Sequence, residues 1–338
     1  MARLPVAVIG VGHLGKEHAR ILASLPECEL VAVVDPDAAQ GEAVAARAGT
    51  RHLPDWRPLL GTIRAAVVAA PTAHHHAVAC KLLEAGVACL VEKPLASTFE
   101  QGLDIVQAAR RGKAALQVGH IERFNPAYEE LKALAIRPRY IVAERHGGYT
   151  GRSGDVGAVL DLMIHDLDLV LDLAGSPVVR VESLGAALLG GHEDMAQARV
   201  TFADGCVADL SACRVAPEAS RRMRVWGPEG YAGIDFGTKA LTAMVPEPSL
   251  RGIDSRRLSP GAAAALKADL WTKHVRTETR DCAKKHEQDQ LTRELLDFAS
   301  SVRDSRKPRV DGEAGLAALG LACRIAEGLR TPAVRLAA

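Results

Sequence analysis

The first 120 residues alternate short apolar runs with segments rich in helix-forming residues, and this alternation restricts the possible folds more than any other feature. The runs are apolar throughout, which is typical of strands covered by helices on both faces. Parallel strands need helical crossovers to connect them, so the pattern predicts a doubly wound α/β domain. The predicted strands are residues 6–9, 30–34, 65–70, 87–91 and 115–118, with a short one at 51–53, and the predicted helices are residues 16–25, 38–48, 74–85 and 98–111.

The rhythm changes after residue 119, which predicts a second domain. Its predicted elements are a helix at 126–134, an extended segment at 139–144, a long helix at 156–174, and alternating segments at 178–184, 196–202, 206–212 and 222–226. Asp204-Gly205 suits a hairpin turn, so an α+β domain with a largely antiparallel open sheet is expected. We interpret residues 249–287 as a surface excursion and residues 288–304 and 313–329 as closing helices, which gives domains 1–119 and 120–338.

Composition excludes several classes of function. Lys and Arg number 42 against 41 Asp and Glu, so no overall field attracts nucleic acid or an anionic membrane. No apolar run approaches the roughly 18 residues of a membrane span. The seven cysteines include no C-x-x-C pair, which argues against a zinc ribbon or a disulfide framework. We therefore expect a cytoplasmic protein without nucleic-acid or membrane partners.

A glycine-rich turn follows the first predicted strand and opens the first predicted helix. Gly10, Gly12 and Gly15 form the pattern G-x-G-x-x-G, with His13 and Leu14 inside it. In this setting the pattern is typical of dinucleotide binding. Glycine lets the backbone approach a pyrophosphate closely, and amide N–H groups at the helix start meet its charge.

Asp35 decides which dinucleotide is expected. It follows the second predicted strand, 20 residues after Gly15, where a carboxylate can accept both hydroxyls of an adenosine ribose. No arginine follows it to bind a 2′-phosphate, so NAD is favoured over NADP. The turn also begins like a triphosphate-binding loop, but Glu17 cannot supply the hydroxyl with which such loops bind magnesium.

Two further motifs end predicted strands, at the edge where doubly wound sheets bind ligands. They are Ala70-Pro71-Thr72 and Glu92-Lys93-Pro94. Together with the glycine turn, His75, the spacing Asp161-x-x-x-His165 and the closing pattern of residues 308–318, they make the sequence resemble the glucose-fructose oxidoreductase / inositol dehydrogenase (Gfo/Idh/MocA) family over essentially its whole length.

The resemblance implies an NAD-dependent oxidoreductase in which Lys93, Asp161 and His165 form the catalytic centre. The cofactor contacts that it implies are Gly10, Gly12, His13, Leu14, Gly15, Asp35, Pro71, Thr72, His75, Glu92 and Lys93.

Elementary chemistry supports the catalytic assignment. Asp161 and His165 are four residues apart on a predicted helix, so their side chains share one face. Histidine has an ordinary pKa near 6.5 and can accept a proton at neutral pH. Lys93 can donate a hydrogen bond to the reacting oxygen and stabilise alkoxide charge. Lysine can also act as a base in a suitable environment, so the roles of Lys93 and His165 could be exchanged.

Residues 118–126 and 151–166 resemble the branch of the family that oxidises the 3-hydroxyl of UDP-N-acetylglucosamine. This implies a sugar or nucleotide-sugar substrate bound by Arg123, Asn125 and Arg152 besides the catalytic residues. Arg145 is a further candidate for the diphosphate, with a solvated charge or an intramolecular ion pair as the open alternatives. Residues 144–149 are richer in glycine than this branch leads us to expect.

Two alternatives stay open. The substrate could be another sugar or an inositol, and the protein could be a non-catalytic NAD-binding protein on the same fold. A pure binding protein would need none of Lys93, Asp161 and His165. His74–His76 are consecutive on a predicted helix and cannot converge, so no metal is expected. The resemblance also implies a homodimer or homotetramer formed through the open sheet.

Overall fold

A computed structural model describes residues 3–149, 156–189, 191–250 and 252–330 of the chain. These residues form two compact units. The first unit runs to Phe124 and includes Gln288–Glu327, and the second unit comprises Asn125–Glu287 and the chain from Gly328. Within the described ranges, no helix is both long and apolar enough to cross a membrane.

The first unit contains the predicted doubly wound sheet. Its strands are β1 (Leu4–Ile9), β2 (Cys28–Val34), β3 (Arg51–Leu53), β4 (Ala65–Val68), β5 (Ala88–Glu92) and β6 (Leu116–Gly119), and the crossover helices are α1 (Gly15–Ser24), α2 (Ala38–Ala48), α3 (Thr72–Glu84) and α4 (Phe99–Gly112). All strand pairs are parallel, in the order β3-β2-β1-β4-β5-β6. The strand order reverses between β1 and β4, where such sheets bind ligands.

Local capping explains both ends of α2 and the start of α4. The Asp37 carboxylate accepts a hydrogen bond from Gln40 N (3.1 Å) and starts α2, which ends at Gly49 in the left-handed conformation (φ 65°). The Thr98 hydroxyl accepts from Gln101 N (3.3 Å) and starts α4. Asp37, Gly49 and Thr98 therefore fix these three helix ends.

The closing helices α8 (Gln290–Arg303) and α9 (Gly312–Arg330) correct the predicted domain division. Leu295 and Phe298 of α8 are buried in one cluster with Val6 and Leu22. A backbone hydrogen bond from Val118 N to Val310 O (2.9 Å) also joins this segment to β6. The assignment of residues 288–329 wholly to the second domain is therefore wrong, because the apolar face of α8 completes the core of the first unit.

The second unit contains a mostly antiparallel sheet of eight strands. The elements are α5 (Pro126–Ala133), β7 (Tyr140–His146), α6 (Ile164–Ala174), β8 (Val178–Ala186), β9 (Met195–Phe202), β10 (Val207–Cys213), β11 (Ser220–Gly227), β12 (Gly230–Asp235), β13 (Ala240–Pro246), α7 (Pro260–Asp269) and β14 (Val275–Asp281). The strand order is β14-β13-β12-β11-β7-β10-β9-β8, and β7 and β10 pair in parallel. Buried residues alternate with more exposed ones along these strands. The buried residues include Ile141 and Ala143 of β7 and Ala208 and Leu210 of β10.

Two sequence predictions for this unit need correction. The long helix predicted at 156–174 begins with a π-helical turn, Val159–Met163, before α6. The predicted surface excursion 249–287 contains β14, which pairs with β13 and forms a sheet edge. The charged residues of β14 led to its prediction as part of a loop, because edge strands often carry charged side chains, as loops do. Helix α7 buries none of its residues, as expected of a surface segment.

Candidate active site

The glycine turn lies between β1 and α1 and shows why each glycine is needed. Gly10 has a φ of 84°, and an added Cβ would lie 2.5 Å from the Ala70 backbone. A Cβ on Gly15 would lie 1.9 Å from Gly10 O. Gly12 differs, because nothing lies within 4 Å of its missing Cβ. Gly10 and Gly15 therefore serve close packing, while Gly12 faces open space that a pyrophosphate can approach.

The start of α1 also fits an anionic group. Leu14 occupies the N-cap position, and no side chain in the described part of the chain caps this helix end. The positive end of the helix dipole favours negative charge at this place. The turn thus fits the pyrophosphate of NAD, and the contacts expected from its glycines, His13 and Leu14 stay predictions.

Asp35 lies directly after β2 and is only 7% exposed. Its carboxylate accepts hydrogen bonds from Val11 N (2.9 Å), Asp37 N (3.0 Å) and Gln40 Nε2 (3.2 Å). The bond to Val11 fixes the carboxylate beside the glycine turn, where a ribose hydroxyl can reach it. Gln40 was not predicted, although its position in the first turn of α2 after Asp35 could have indicated it.

His75 joins the two predicted strand-end motifs. It is 1% exposed, and its Nδ1 lies 3.0 Å from Pro94 O while its Nε2 lies 2.8 Å from Ala70 O. Burial lowers the pKa of His75, and the two carbonyl groups oppose that effect only in part. The imidazole therefore connects the Pro71-Thr72 turn to the Lys93-Pro94 turn. His74 is exposed and His76 contacts Asp104 (3.2 Å), so the three consecutive histidines diverge.

Glu92 supports the turn that carries Lys93. One carboxylate oxygen lies 2.7 Å from His18 Nε2, and the other accepts from Lys93 N (3.2 Å). Burial alone would raise the pKa of Glu92, but the contacts with His18 and Lys93 hold it below its ordinary value. Glu92 thus has a structural role behind Lys93, whose own side chain is partly exposed.

His18 and Glu294 were missed by sequence reasoning. His18 lies on the buried face of α1, three residues after Gly15, and that spacing was the available signal. Glu294 of α8 is fully buried beside Glu92, and desolvation, with the charge of Glu92 adding to it, raises its pKa well above the ordinary value. Both Glu294 oxygens lack a hydrogen-bond partner among the described residues. The sequence does not indicate that Glu294 is buried, because a glutamate in an amphipathic helix is ordinarily expected on the exposed face.

In the second unit, one helix carries both remaining catalytic candidates. Asp161 lies in the π-helical turn and His165 in the first turn of α6, and both are partly exposed. Four residues remain close to one helical turn, so this helix is consistent with the expectation that the two side chains share one face. Single π-turns inside helices occur frequently at functional sites.

Arg145 forms an internal ion pair in the second unit. Its Nε and Nη2 donate to the two oxygens of Asp166 (3.0 and 2.8 Å). The side chains are 5% and 2% exposed. The guanidinium also lies 5.4 Å from the Phe236 ring centroid. Of the two alternatives left open for Arg145, the structure contains the intramolecular pair.

Two of the three predicted substrate contacts lie in the described residues. Arg123 is 8% exposed in a 3₁₀ turn, Ile121–Phe124, and its carbonyl accepts from Arg309 Nη1 (3.1 Å). Asn125 is fully buried and caps α5, because its side-chain oxygen accepts from Ala127 N (3.0 Å) and its Nδ2 donates to Phe236 O (3.3 Å). Their substrate contacts stay predictions. Arg152 lies outside the described residues.

Comparison with known proteins agrees with this geometry. Residues 4–120 match the "Oxidoreductase family, NAD-binding Rossmann fold", and residues 131–232 match the "GFO/IDH/MocA C-terminal domain". UDP-N-acetylglucosamine 3-dehydrogenase of Acidithiobacillus ferrooxidans is 36% identical over 326 residues, which are 96% of this chain and 97% of that protein. Its solved structure has a TM-score of 0.84 at 34% identity and covers 97% of this chain and 98% of its own. The scyllo-inositol 2-dehydrogenase (NAD(+)) of Bacillus subtilis is 31% identical over 258 residues, 69% of this chain and 73% of that protein.

The fold and the glycine turn define an oxidoreductase with an NAD-binding Rossmann unit. The chain belongs to the Gfo/Idh/MocA family. The predicted fold class, family and cofactor are confirmed. The roles of individual residues stay predictions.

Proposed function

We propose that the protein is a dehydrogenase that oxidises the 3-hydroxyl of UDP-N-acetylglucosamine to a ketone with NAD. The observation that carries the proposal is the 36% identity to the Acidithiobacillus enzyme over 96% of the chain. That likeness extends through both units, whereas the scyllo-inositol 2-dehydrogenase matches over 69% of the chain. A match that includes the whole second unit supports the substrate as well as the cofactor.

We assign three residues to the chemical step. When bound, NAD supplies the nicotinamide carbon that accepts a hydride. His165 takes the proton of the sugar hydroxyl, Asp161 orients His165, and Lys93 stabilises negative charge on the reacting oxygen. Support comes from the shared helical face of Asp161 and His165 and from the buried Glu92 that holds Lys93 N. Arg123, Asn125 and Arg152 remain the proposed substrate contacts.

An inositol dehydrogenase is the second candidate, because the Bacillus scyllo-inositol enzyme is 31% identical over 69% of the chain. Initial rates of NAD reduction with UDP-N-acetylglucosamine, UDP-glucose, scyllo-inositol and myo-inositol separate the two. We expect the highest kcat/KM with UDP-N-acetylglucosamine, and in Lys93→Ala a kcat lowered by about 10²- to 10⁴-fold with every compound that the wild type oxidises. Preference for an inositol would support the second candidate. NAD binding without reduction would indicate a non-catalytic protein.

We propose a homodimer or homotetramer that buries the outer face of the eight-stranded sheet. Tyr140, Trp226 and Tyr231 form an aromatic row across three strands of this face, with ring centroids 5.5 and 5.1 Å apart. Leu184 on β8 is 56% exposed. Such faces are normally covered in an assembly. Light scattering that gave only a 35.8 kDa species at micromolar concentration would contradict this.

We propose a cytoplasmic location. Cys28 and Cys206 are buried, and burial raises the pKa of each thiol to about 11. Buried, unreactive thiols suit a reducing compartment. Fractionation of the native host, with a cytoplasmic marker as control, tests the location.

A further inference from the structure

The helix that carries Asp161 and His165 begins at a residue that cannot cap it. Ala158 occupies the N-cap position of the π-helical turn, and alanine has no side-chain acceptor. A remote residue bonds the first amides instead. Ala158 N donates to Glu193 O (2.9 Å), and Val159 N donates to Glu193 Oε1 (3.1 Å). Glu193 therefore caps this helix from a position 34 residues further along the chain.

Gly157 shows how closely Glu193 packs against the helix start. An added Cβ there would lie 2.1 Å from Glu193 Oε1 and 2.2 Å from its Oε2. The carboxylate thus occupies the space that any side chain at 157 would need. The carbonyl of Gly157 also accepts a hydrogen bond from Asp161 N (3.0 Å). Glu193 and Asp161 are therefore connected through one residue.

The next residue, Asp194, fixes the backbone from which Glu193 extends. It is fully buried, and its Oδ2 accepts from Leu188 N and Leu189 N, each at 2.7 Å. Its Oδ1 accepts from Arg214 Nε (2.7 Å), and Arg214 Nη1 donates to Val156 O (2.8 Å). Arg214 and Glu193 consequently hold the chain on the two sides of Gly157.

We propose that Glu193 is a positioning residue that sets the location of Asp161. The inference rests on the proposed catalytic role of Asp161. In a π-turn the backbone hydrogen bond spans five residues, one more than in the α-helix. Because the first amides of a helix have no partner within it, the position of this turn depends on the groups that bond those amides. The Glu193 carboxylate bonds Val159 N, and its negative charge interacts favourably with the positive end of the helix dipole. It also packs against Gly157, whose carbonyl accepts the hydrogen bond from Asp161 N.

The test compares Glu193→Ala with Glu193→Gln. The amide oxygen of Gln can still accept from Val159 N, so Glu193→Gln should keep kcat within about threefold of wild type. Glu193→Ala should lower kcat by about 10- to 100-fold, the order expected for misplacing a catalytic group by about 1 Å. The KM for NAD should stay unchanged. Glu218, an exposed residue between β10 and β11, supplies the control, and Glu218→Ala should leave kcat unaltered.

Gly157→Ala provides an independent route to the same change. Its methyl group displaces the Glu193 carboxylate, so this variant should resemble Glu193→Ala. The double variant Gly157→Ala/Glu193→Ala should be no slower than the slower single variant, because the second change removes nothing further. Losses that multiply in the double variant would overturn the inference.

Hydrogen exchange separates this inference from the proposed substrate. The amides of residues 158–161 should exchange faster in Glu193→Ala and as slowly as wild type in Glu193→Gln, whether or not any sugar is oxidised. Unchanged exchange in Glu193→Ala would overturn the inference. Faster exchange with a wild-type kcat would also overturn it, since Glu193 would then be only a stabilising cap. If the wild type oxidises no sugar, the proposed function fails while the exchange result still decides whether Glu193 holds the turn.

Discussion

The two units build their candidate site residues by different means. In the first unit, the proposed cofactor contacts lie at the glycine turn of the backbone and at the ends of β4 and β5. In the second unit, Asp161 and His165 are side chains on one helix, whose start is held by Glu193 from a distant part of the chain. The first arrangement depends on local spacing, and the second depends on contacts between remote segments.

This difference predicts which kinds of substitution should impair each unit. The glycine turn is formed by backbone atoms. It should be impaired by a substitution that adds a Cβ where the backbone is closely packed, and it should tolerate changes of its exposed side chains. A side-chain-built centre fails when a functional group is removed or displaced.

The largest effect should come from the catalytic side chains. His165→Ala and Lys93→Ala should each lower kcat by about 10²- to 10⁴-fold. His165→Ala should keep its NAD affinity, measured by calorimetry. His274→Ala, a histidine in the surface segment before β14, serves as the control. A kcat within twofold of wild type in His165→Ala would remove His165 from the mechanism.

The pH profile of the same variants decides which residue is the base. A neutral histidine base makes kcat fall as pH decreases through the ordinary histidine pKa near 6.5. That limb should disappear in His165→Ala. If it persists there and disappears in Lys93→Ala, the roles of the two residues are exchanged.

Breaking the Arg145–Asp166 pair should destabilise the second unit. Arg145→Ala leaves the Asp166 carboxylate buried, so the free energy of unfolding should fall by about 3–5 kcal/mol. Urea denaturation measures it, and Arg145→Lys tests the need for two-point bonding. Unchanged stability with a raised KM for the nucleotide sugar would restore Arg145 as a substrate ligand.

Two glycines of the turn should respond differently. Gly15→Ala places a Cβ 1.9 Å from Gly10 O and should lower the free energy of unfolding by about 1–3 kcal/mol. Gly12→Ala meets no atom within 4 Å, so it should keep the melting temperature and weaken NAD binding. Equal stability of the two variants would contradict the roles assigned to these glycines.

Asp35 should set the preference for NAD over NADP. Asp35→Ala removes both the charge that repels a 2′-phosphate and the acceptor for the ribose. The ratio of kcat/KM with NAD to kcat/KM with NADP should therefore fall by about tenfold. Asp35→Asn keeps an acceptor for Val11 N, so it separates the charge from the support of the turn. An unchanged ratio in Asp35→Ala would contradict this assignment.

The same contrast explains what could be predicted from the sequence. The parallel sheet, the glycine turn and Asp35 follow local rules of apolar runs, turn residues and spacing. The strand β14, the place of α8 in the first unit and the Arg145–Asp166 pair depend on partners far away in the chain. Glu193 gave no signal, because a glutamate that caps a helix 34 residues away looks like any surface charge.

Transfer of deuterium from position 3 of the sugar tests the central claim most directly. UDP-N-acetylglucosamine labelled with deuterium at C3 is incubated with NAD and the protein, and the nicotinamide and sugar products are analysed by mass spectrometry and NMR. Direct hydride transfer from the sugar should give deuterium at C4 of the reduced nicotinamide and a ketone at C3 of the sugar. Reduced NAD without deuterium, or no reduction at all, would contradict it.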